Sequence, residues 1–253
     1  MTDFKRNGFT ILTLHHLSGT GGTLISKCLA AMPDVVLLSE VYPKPSLRRF
    51  NPFDPIQQFA KYKFLDVDEM ENIFLNRISL IVEKCKQHQK SLIIRDHSHS
   101  DFLVKSVPKR LKLLELLKTK YDVKPAITLR NPIDSWLAMR VNNWCKNVET
   151  FDNFCSRYLL FLDMYQDAPR FLYEEFVNDP ERALEQMCLF YGIHYDVRFK
   201  EKFFEVKLSG DSGRSSNKIE PRPRRKHGPE FVEEVKLSRK FQEIRERLGY
   251  DGF

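Results

Sequence analysis

Residues 12–25 read LTLHHLSGTGGTLI, and this stretch decides how the chain is expected to fold. The apolar start is typical of a buried strand, and a helix is predicted to open at Thr23. Glycines at positions 19, 21 and 22 let backbone N–H groups crowd around an anion, and the helix N-terminus adds the positive end of its dipole. The Thr23 hydroxyl can point at the same oxygens. A strand, a glycine-rich loop and a helix in this order predict a phosphate-binding loop.

This loop differs from the usual ATP-binding loop. The pattern G-x-x-x-x-G-K-[ST] places a lysine directly before the Ser or Thr, and Gly22 occupies that position here. The difference disfavours an ordinary ATPase or kinase without excluding one. Glycine-rich turns also join strands to helices in α/β domains that bind no phosphate, so the segment alone leaves that alternative open.

Length and composition indicate a globular α/β protein. The 253 residues suffice for one large domain, and no repeat or linker divides residues 1–253. The net charge of +7 suits an anionic ligand, and part of it lies in residues 222–226, either a solvated basic face or a polyanion contact. Nucleic acid is not expected as a partner. The five scattered cysteines predict reduced thiols and no zinc site. Without an 18-residue apolar stretch or a signal pattern, we expect a cytoplasmic protein with no membrane span.

Predicted strands alternate with predicted helices along the chain. The strands are at 9–14, 35–38, 91–94, 125–129 and 170–173; the helices are at 23–32, 68–89, 101–120, from 132 onward, 149–166, 180–191 and 230–248. Four prolines in residues 43–55 indicate a loop, which could be a lid. The alternation predicts an α/β fold of the P-loop nucleotide-binding type, a three-layer parallel sheet flanked by helices. Ligands of such sheets bind beyond the carboxyl ends of the strands, here 15–22, 95–99 and 130–131.

The strand at 91–94 ends in Arg95-Asp96-His97-Ser98-His99. In an extended chain alternate residues share a face, so Arg95, His97 and His99 are predicted to point together into a cleft. The histidine could take a proton from a hydroxyl nucleophile while the arginine holds an anionic group. Two alternatives stay open: polar residues that merely face water, and two histidines that bind a metal, although no acidic or cysteine cluster elsewhere in the sequence supports a metal.

Two further segments carry candidate phosphate ligands. Arg130, in Arg130-Asn131-Pro132, could clamp a phosphate bidentately or could pair with a carboxylate such as Asp134. Residues 209–216, SGDSGRSS, could fold over a phosphate or form a surface tether.

The order of these motifs resembles the sulfotransferase family, which uses 3′-phosphoadenosine-5′-phosphosulfate (PAPS). The resemblance runs from about residue 9 to residue 216 and includes FLYEEFVNDPE at 171–181, which is similar to a family segment. It implies a sulfotransferase that moves a sulfuryl group from PAPS to the hydroxyl or amine of a small-molecule acceptor, and it implies no metal. Residues 43–55 and 140–150 could line the acceptor pocket. The tryptophan and asparagines of the second segment slightly favour a carbohydrate, although Trp144 could equally belong to the core.

The resemblance also implies residue roles. His97 would be the general base with His99 in reserve, and Arg95 would contact the sulfuryl group. The 5′-phosphosulfate would be bound by Gly19, Thr20, Gly21, Gly22, Thr23 and Leu24. The 3′-phosphate would be bound by Arg130, Ser135, Ser212, Gly213 and Arg214.

Two positions depart from the family pattern. The usual loop lysine or arginine is Gly19 here, and the usual 3′-phosphate serine is Ala138. Arg95, Lys27 or His16 could supply the missing cation, and Ser135 could supply the hydroxyl. Two other functions remain open. One is a P-loop kinase in which Lys27 replaces the loop lysine and Asp96 binds the metal, and the other is an inactive nucleotide-binding module that uses residues 222–226 as its contact surface.

Overall fold

A five-stranded parallel sheet forms the centre of the protein. The structure is a computed structural model, and it describes residues 8–43, 55–210 and 217–252. The strands are β1 (Thr10–His15), β2 (Val35–Val41), β3 (Ser91–Asp96), β4 (Asp122–Leu129) and β5 (Arg170–Leu172). Their order is β2-β3-β1-β4-β5, and every neighbouring pair is parallel. The central strand, β1, pairs Leu12 with Ile93 on one side and with Lys124 on the other. All carboxyl ends therefore meet at one edge, and the predicted α/β parallel-sheet fold is confirmed.

Helices cover both faces of this sheet. They are α1 (Gly22–Ala30), α2 (Pro55–Phe59), α3 (Val67–Gln87), α4 (His99–Phe102), α5 (Lys112–Lys118), α6 (Pro132–Val141), α7 (Phe151–Met164), α8 (Tyr173–Asn178), α9 (Pro180–Tyr191), α10 (Phe199–Lys202), α11 (Pro229–Leu237) and α12 (Arg239–Leu248). Leu12 and Leu14 pack with α1, α8 and α9, whereas the preceding residue, Ile11, points to the other face and packs with α3 and α5. The alternation of β1 side chains thus gives the sheet two buried faces and produces three layers.

Aromatic side chains build the largest core cluster. Phe151 and Phe154 of α7 pack against Trp136 of α6, and Phe151 also packs against Phe231 of α11 and Phe241 of α12. Trp136 is buried, whereas Trp144 is 43% exposed. Within the described part of the chain, no helix combines the length and apolar character that spanning a bilayer requires.

Two predicted helices are each divided in the structure. The region 101–120 contains α4 and α5, separated by a segment that includes Pro108, whose missing N–H disfavours a continuous helix. The region 230–248 breaks at Ser238, whose extended backbone ends α11 and whose hydroxyl accepts a hydrogen bond from Phe241 N at 3.2 Å to cap α12. The predicted starts at Pro132 and at the Asp179 cap are confirmed.

Strand β2 extends to Val41, three residues past its predicted end. Its register with β3 shifts between Leu38 and Val41, and Glu40 in this bulge has a left-handed backbone with φ of 58°. Bulges of this kind redirect side chains at strand ends. Most of the predicted loop at 43–55 lies outside the described residues.

Candidate active site

A cleft of about 1570 Å³ opens at the carboxyl edge of the sheet. The three strand ends singled out by the sequence all contribute to its walls, and the predicted residues that line it are Gly19, Gly21, Gly22, Thr23, Leu24, Arg95, His97, His99 and Arg130. The cleft is therefore where parallel α/β sheets bind ligands.

The glycine-rich loop lies against its neighbours too closely for side chains. Gly19 and Gly21 both have φ of 81°, a conformation that L side chains rarely adopt. A Cβ on Gly21 would lie 2.2 Å from the Tyr173 ring, and a Cβ on Gly19 would lie 2.6 Å from the Ser135 carbonyl oxygen. Both glycines are therefore required by backbone conformation and by close packing.

Helix α1 begins directly after this loop, with Gly21 at its N-cap. Among the residues that the structure describes, no side chain caps this terminus, and the first turn holds no acidic residue. The free N–H groups and the helix dipole are therefore available to an external anion.

The two threonines of the loop differ in role. Thr23 lines the cleft, and its hydroxyl accepts a hydrogen bond from Arg95 Nη1 at 3.3 Å. Thr20 is buried, and its hydroxyl donates to Leu17 O at 2.7 Å. Thr20 therefore fixes the loop with its side chain, and only its backbone could reach a ligand.

Arg130 lies beside the glycine-rich loop. Its Nη1 donates to Gly19 O at 3.1 Å, and its guanidinium carbon lies 4.6 Å from the centre of the Tyr173 ring. The predicted alternative partner, Asp134, instead pairs with Arg224 at 3.1 Å. Tyr173 thus contacts both the loop and the arginine; sequence reasoning did not select it, although it belongs to the segment 171–181 that carried the resemblance.

The two serine positions near Arg130 do not place a hydroxyl on the cleft. Ser135 is fully buried, its hydroxyl has no hydrogen-bond partner among the described residues, and it is not among those lining the cleft. Ala138, at the usual position of the family serine, does line the cleft but carries no hydroxyl. Ser212, Gly213 and Arg214 lie outside the described residues.

Arg95 is a buried cation at the centre of the site, with 1% of its surface exposed. It donates to Thr23 on one side and forms an ion pair with Glu40 on the other. The second carboxylate oxygen of Glu40, Oε2, lies 3.1 Å from His97 Nε2. Sequence reasoning missed Glu40, and the available signal was an acidic residue near the end of the mostly apolar segment 35–41.

His97 and His99 come together, but not by the predicted strand alternation. The chain leaves the extended conformation at Ser98, where φ is −54° and ψ is −30°, and His99 opens α4. The ring centres lie 3.7 Å apart, and His97 Nδ1 lies 2.5 Å from Ser100 Oγ. Burial, followed by the positive charge of nearby groups, lowers the pKa of His99 to about 3, so His99 is neutral and a weak base at pH 7.

His16 also lines the cleft, and burial followed by the Arg95 charge lowers its pKa to about 3. Its Nδ1 lies 3.0 Å from Leu17 O, to which the neutral ring donates. His16 therefore carries no positive charge at neutral pH. Lys27 is buried in α1 and is not among the described residues that line the cleft. Of the three suggested cations, Arg95 is the one placed at the loop.

Arginines of the basic run 222–226 occupy two different environments. Arg222 and Arg225 line the cleft. Arg224 pairs with Asp134 and donates to Gly252 O at 3.0 Å, which joins the run to α6 and to the C-terminal segment. The run is therefore not a uniform solvated face.

Neither a family model nor a curated protein sequence matches this chain, but solved structures resemble it over nearly its whole length. The sulfotransferase domain of the olefin synthase from Synechococcus PCC 7002 is 15% identical, with 97% of this chain and 96% of that chain covered at a TM-score of 0.59. A sulfotransferase domain from the curacin biosynthetic pathway is 14% identical, with 96% and 98% covered at a TM-score of 0.58. The chain has the fold of the sulfotransferases.

Proposed function

We propose that the protein is a sulfotransferase that moves a sulfuryl group from PAPS to a hydroxyl or amine of a small-molecule acceptor. The observation that carries this proposal is the contact between Arg130 Nη1 and Gly19 O at 3.1 Å. It puts a guanidinium and a loop of main-chain N–H groups side by side on one cleft. A nucleotide with phosphate groups at both its 5′ and its 3′ positions needs two anion sites of this kind.

The loop would bind the 5′-phosphosulfate. The uncapped start of α1, the N–H groups around Gly21 and the Thr23 hydroxyl suit its oxygens. Arg95 would replace the cation that the family carries at the position of Gly19, because its Nη1 already lies 3.3 Å from Thr23 Oγ1. Arg130 would bind the 3′-phosphate.

His97 would accept the acceptor's proton as a general base. The acceptor oxygen or nitrogen then forms a bond to sulfur while the bond from sulfur to the bridging oxygen breaks, and adenosine 3′,5′-bisphosphate leaves with the electron pair. Arg95 and the loop N–H groups would stabilise the charge on the transferred group and the leaving phosphate. Glu40, 3.1 Å from His97 Nε2, would favour the protonated ring.

The positions of Asp96 and Lys27 give little support to the kinase alternative. Asp96 is buried, where its Oδ2 lies 3.0 Å from His15 Nδ1 and accepts from Ser98 Oγ at 2.9 Å. Neither Asp96 nor Lys27 is among the described residues that line the cleft, whereas a kinase needs its metal-binding carboxylate and its lysine there.

Polar residues of the cleft lining bear on the acceptor. Asn142, Asn143 and Asn147 line the cleft together with Trp144, which is 43% exposed. Amide groups beside an aromatic face suit the hydroxyl groups and apolar faces of a sugar ring, which favours a carbohydrate-like acceptor.

A calorimetric titration with adenosine 3′,5′-bisphosphate and with ADP plus Mg²⁺ tests the proposal. We expect the bisphosphate to bind more tightly, and Arg130→Ala to weaken it by about 2 kcal/mol, roughly 30-fold. The matched control is Arg182→Ala, an exposed arginine on α9, which should bind like the wild type. Tighter binding of ADP, or unchanged affinity in Arg130→Ala, would contradict the donor assignment. Bisphosphate binding without sulfate transfer to any acceptor in a broad panel would indicate the inactive module.

A further inference from the structure

We propose that Glu40, His97 and His99 form a binding site for a divalent transition-metal ion, with Zn²⁺ as the best fit. One ligand atom from each of the three residues lies within 4.8 Å of the other two. They come from the β2 bulge, the turn after β3 and the start of α4, so the fold rather than a local motif brings them together.

The distances fit a small tetrahedral ion after modest adjustment. Zinc bonds to nitrogen and oxygen of about 2.0–2.2 Å place neighbouring ligand atoms about 3.3 Å apart. Glu40 Oε2 and His97 Nε2 already lie 3.1 Å apart. Any longer separation in the group must shorten by about 1.5 Å at most, which side-chain torsions can supply.

Groups behind the ligands are placed as metal sites require. Ser100 Oγ lies 2.5 Å from His97 Nδ1, so that Nδ1–H can donate to it and leave the Nε2 lone pair for a metal. Arg95 holds the other carboxylate oxygen of Glu40. Ligating histidines and carboxylates usually have such hydrogen-bond partners, which fix their orientation. The Arg95 charge opposes a cation, and the Glu40 carboxylate lies between them, so we expect weaker binding than at a closed structural zinc site.

The openness of the site agrees with this assignment. All three residues line the cleft. Three protein ligands leave one position of a tetrahedral ion open to water or to a bound molecule.

A bound metal would compete with the chemistry proposed above. It would take the His97 lone pair that is assigned to the acceptor's proton, so Zn²⁺ should inhibit sulfuryl transfer. This consequence rests on the proposed function, whereas the metal site does not, and the two can be tested separately.

Titration of the full chain with Co²⁺, followed by competition with Zn²⁺, tests the site. We expect the visible ligand-field absorption of four-coordinate Co²⁺ to saturate at one equivalent and to disappear when Zn²⁺ is added. His99→Ala and the nearly isosteric Glu40→Gln should each weaken Zn²⁺ binding at least about 100-fold, because loss of a ligand costs more than loss of its hydrogen-bond partner. His194→Ala, an exposed histidine outside the cleft lining, should match the wild type.

Two results would overturn the site. The first is unchanged Zn²⁺ affinity in folded Glu40→Gln and His99→Ala, with folding checked by circular dichroism. The second is an intense thiolate-to-cobalt absorption that disappears in Cys145→Ser, since Cys145 is the one cysteine that is not buried. Because the titration contains no nucleotide, failure of the metal site leaves the donor experiment unaffected.

Discussion

At the scale of single residues, Glu40 organises the centre of the cleft. Its carboxylate joins the buried Arg95 to His97, and it does so from a left-handed backbone that costs a non-glycine residue about 1–2 kcal/mol. Gly210 lies against it so closely that a Cβ there would come within 2.4 Å of the Glu40 side chain. Strain of this kind is common at functional sites, and here it aims one acidic group at a guanidinium and an imidazole.

Replacing His97 tests the assignment of the base. We expect His97→Ala to lower kcat about 100-fold or more with PAPS and a reactive acceptor, because a positioned base contributes on that scale. Affinity for adenosine 3′,5′-bisphosphate should stay unchanged, since the phosphate ligands are elsewhere. Steady-state kinetics in the presence of a chelator, with His194→Ala as control, measures this. His99 is a weak substitute because its pKa is about 3, so a loss of less than tenfold would assign the proton to Glu40.

At the scale of elements, the glycine-rich loop is shaped by its neighbour α8. Tyr173, the first residue of α8, packs on Gly21 and under Arg130. The half-buried Glu174 accepts a hydrogen bond from Asn131 N at 2.8 Å, so the start of α8 also anchors the segment that follows β4. One short helix thus sets the separation between the loop and the arginine.

A pair of glycine substitutions separates packing from backbone conformation. Gly21 and Gly192 both have left-handed backbones, with φ of 81° and 71°, but a Cβ on Gly192 would meet no atom within 4 Å. We expect Gly192→Ala to lower the free energy of unfolding by about 1 kcal/mol. Gly21→Ala should cost a further 1–3 kcal/mol or so, from overlap with the Tyr173 ring, and should abolish bisphosphate binding. Urea denaturation and calorimetry measure both effects, and equal losses would refute the close contact.

The sequence predicted the elements that depend on local patterns. Periodicity and glycine placement located β1, the loop and α1. The strand ends indicated Arg95, His97 and Arg130, and all three line the cleft. Glu40 and Tyr173 were missed because their roles arise from contacts with residues distant in the chain, such as Arg95, 55 positions after Glu40. The break at Ser238 was hidden by an amphipathic pattern that continues across it, and only the cap geometry reveals it.

At the scale of the whole molecule, buried histidines couple stability to pH. The pKa of His16 is about 3, below its ordinary value of 6.5, so the unfolded chain binds more protons between these two values. The stabilisation from a neutral His16 is therefore complete above pH 6.5 and is lost as the pH falls towards 3. The same sign holds for His99.

Substitution of His16 reveals this linkage. An asparagine can donate from its amide Nδ2 to Leu17 O in place of the His16 Nδ1–H, and it removes the titrating ring. We expect the free energy of unfolding of His16→Asn to fall less steeply than that of the wild type as the pH is lowered from about 6 to about 4. The difference in slope corresponds to the uptake of up to about one proton fewer per molecule on unfolding. Urea denaturation across this range measures the slopes, and the exposed His194→Asn should keep the wild-type slope. Identical slopes for His16→Asn and wild type would show that His16 titrates alike in both states.

The positive charge of the molecule is concentrated in part on the cleft. The net charge of +7 is partly gathered on the cleft, where Arg95, Arg130, Arg222 and Arg225 face a lining whose one acidic member, among the described residues, is Glu40. An anionic ligand is then drawn towards the opening at low ionic strength, and salt slows its arrival.

The shared position of Tyr173 between Gly21 and Arg130 has a thermodynamic consequence. A ligand that spans both proposed anion sites would bind beside one ring that already packs on the loop and on the arginine, so a shift at one site would disturb the other. Its two ends would therefore contribute non-additively, and the affinities of two half-ligands would not sum to the affinity of the whole.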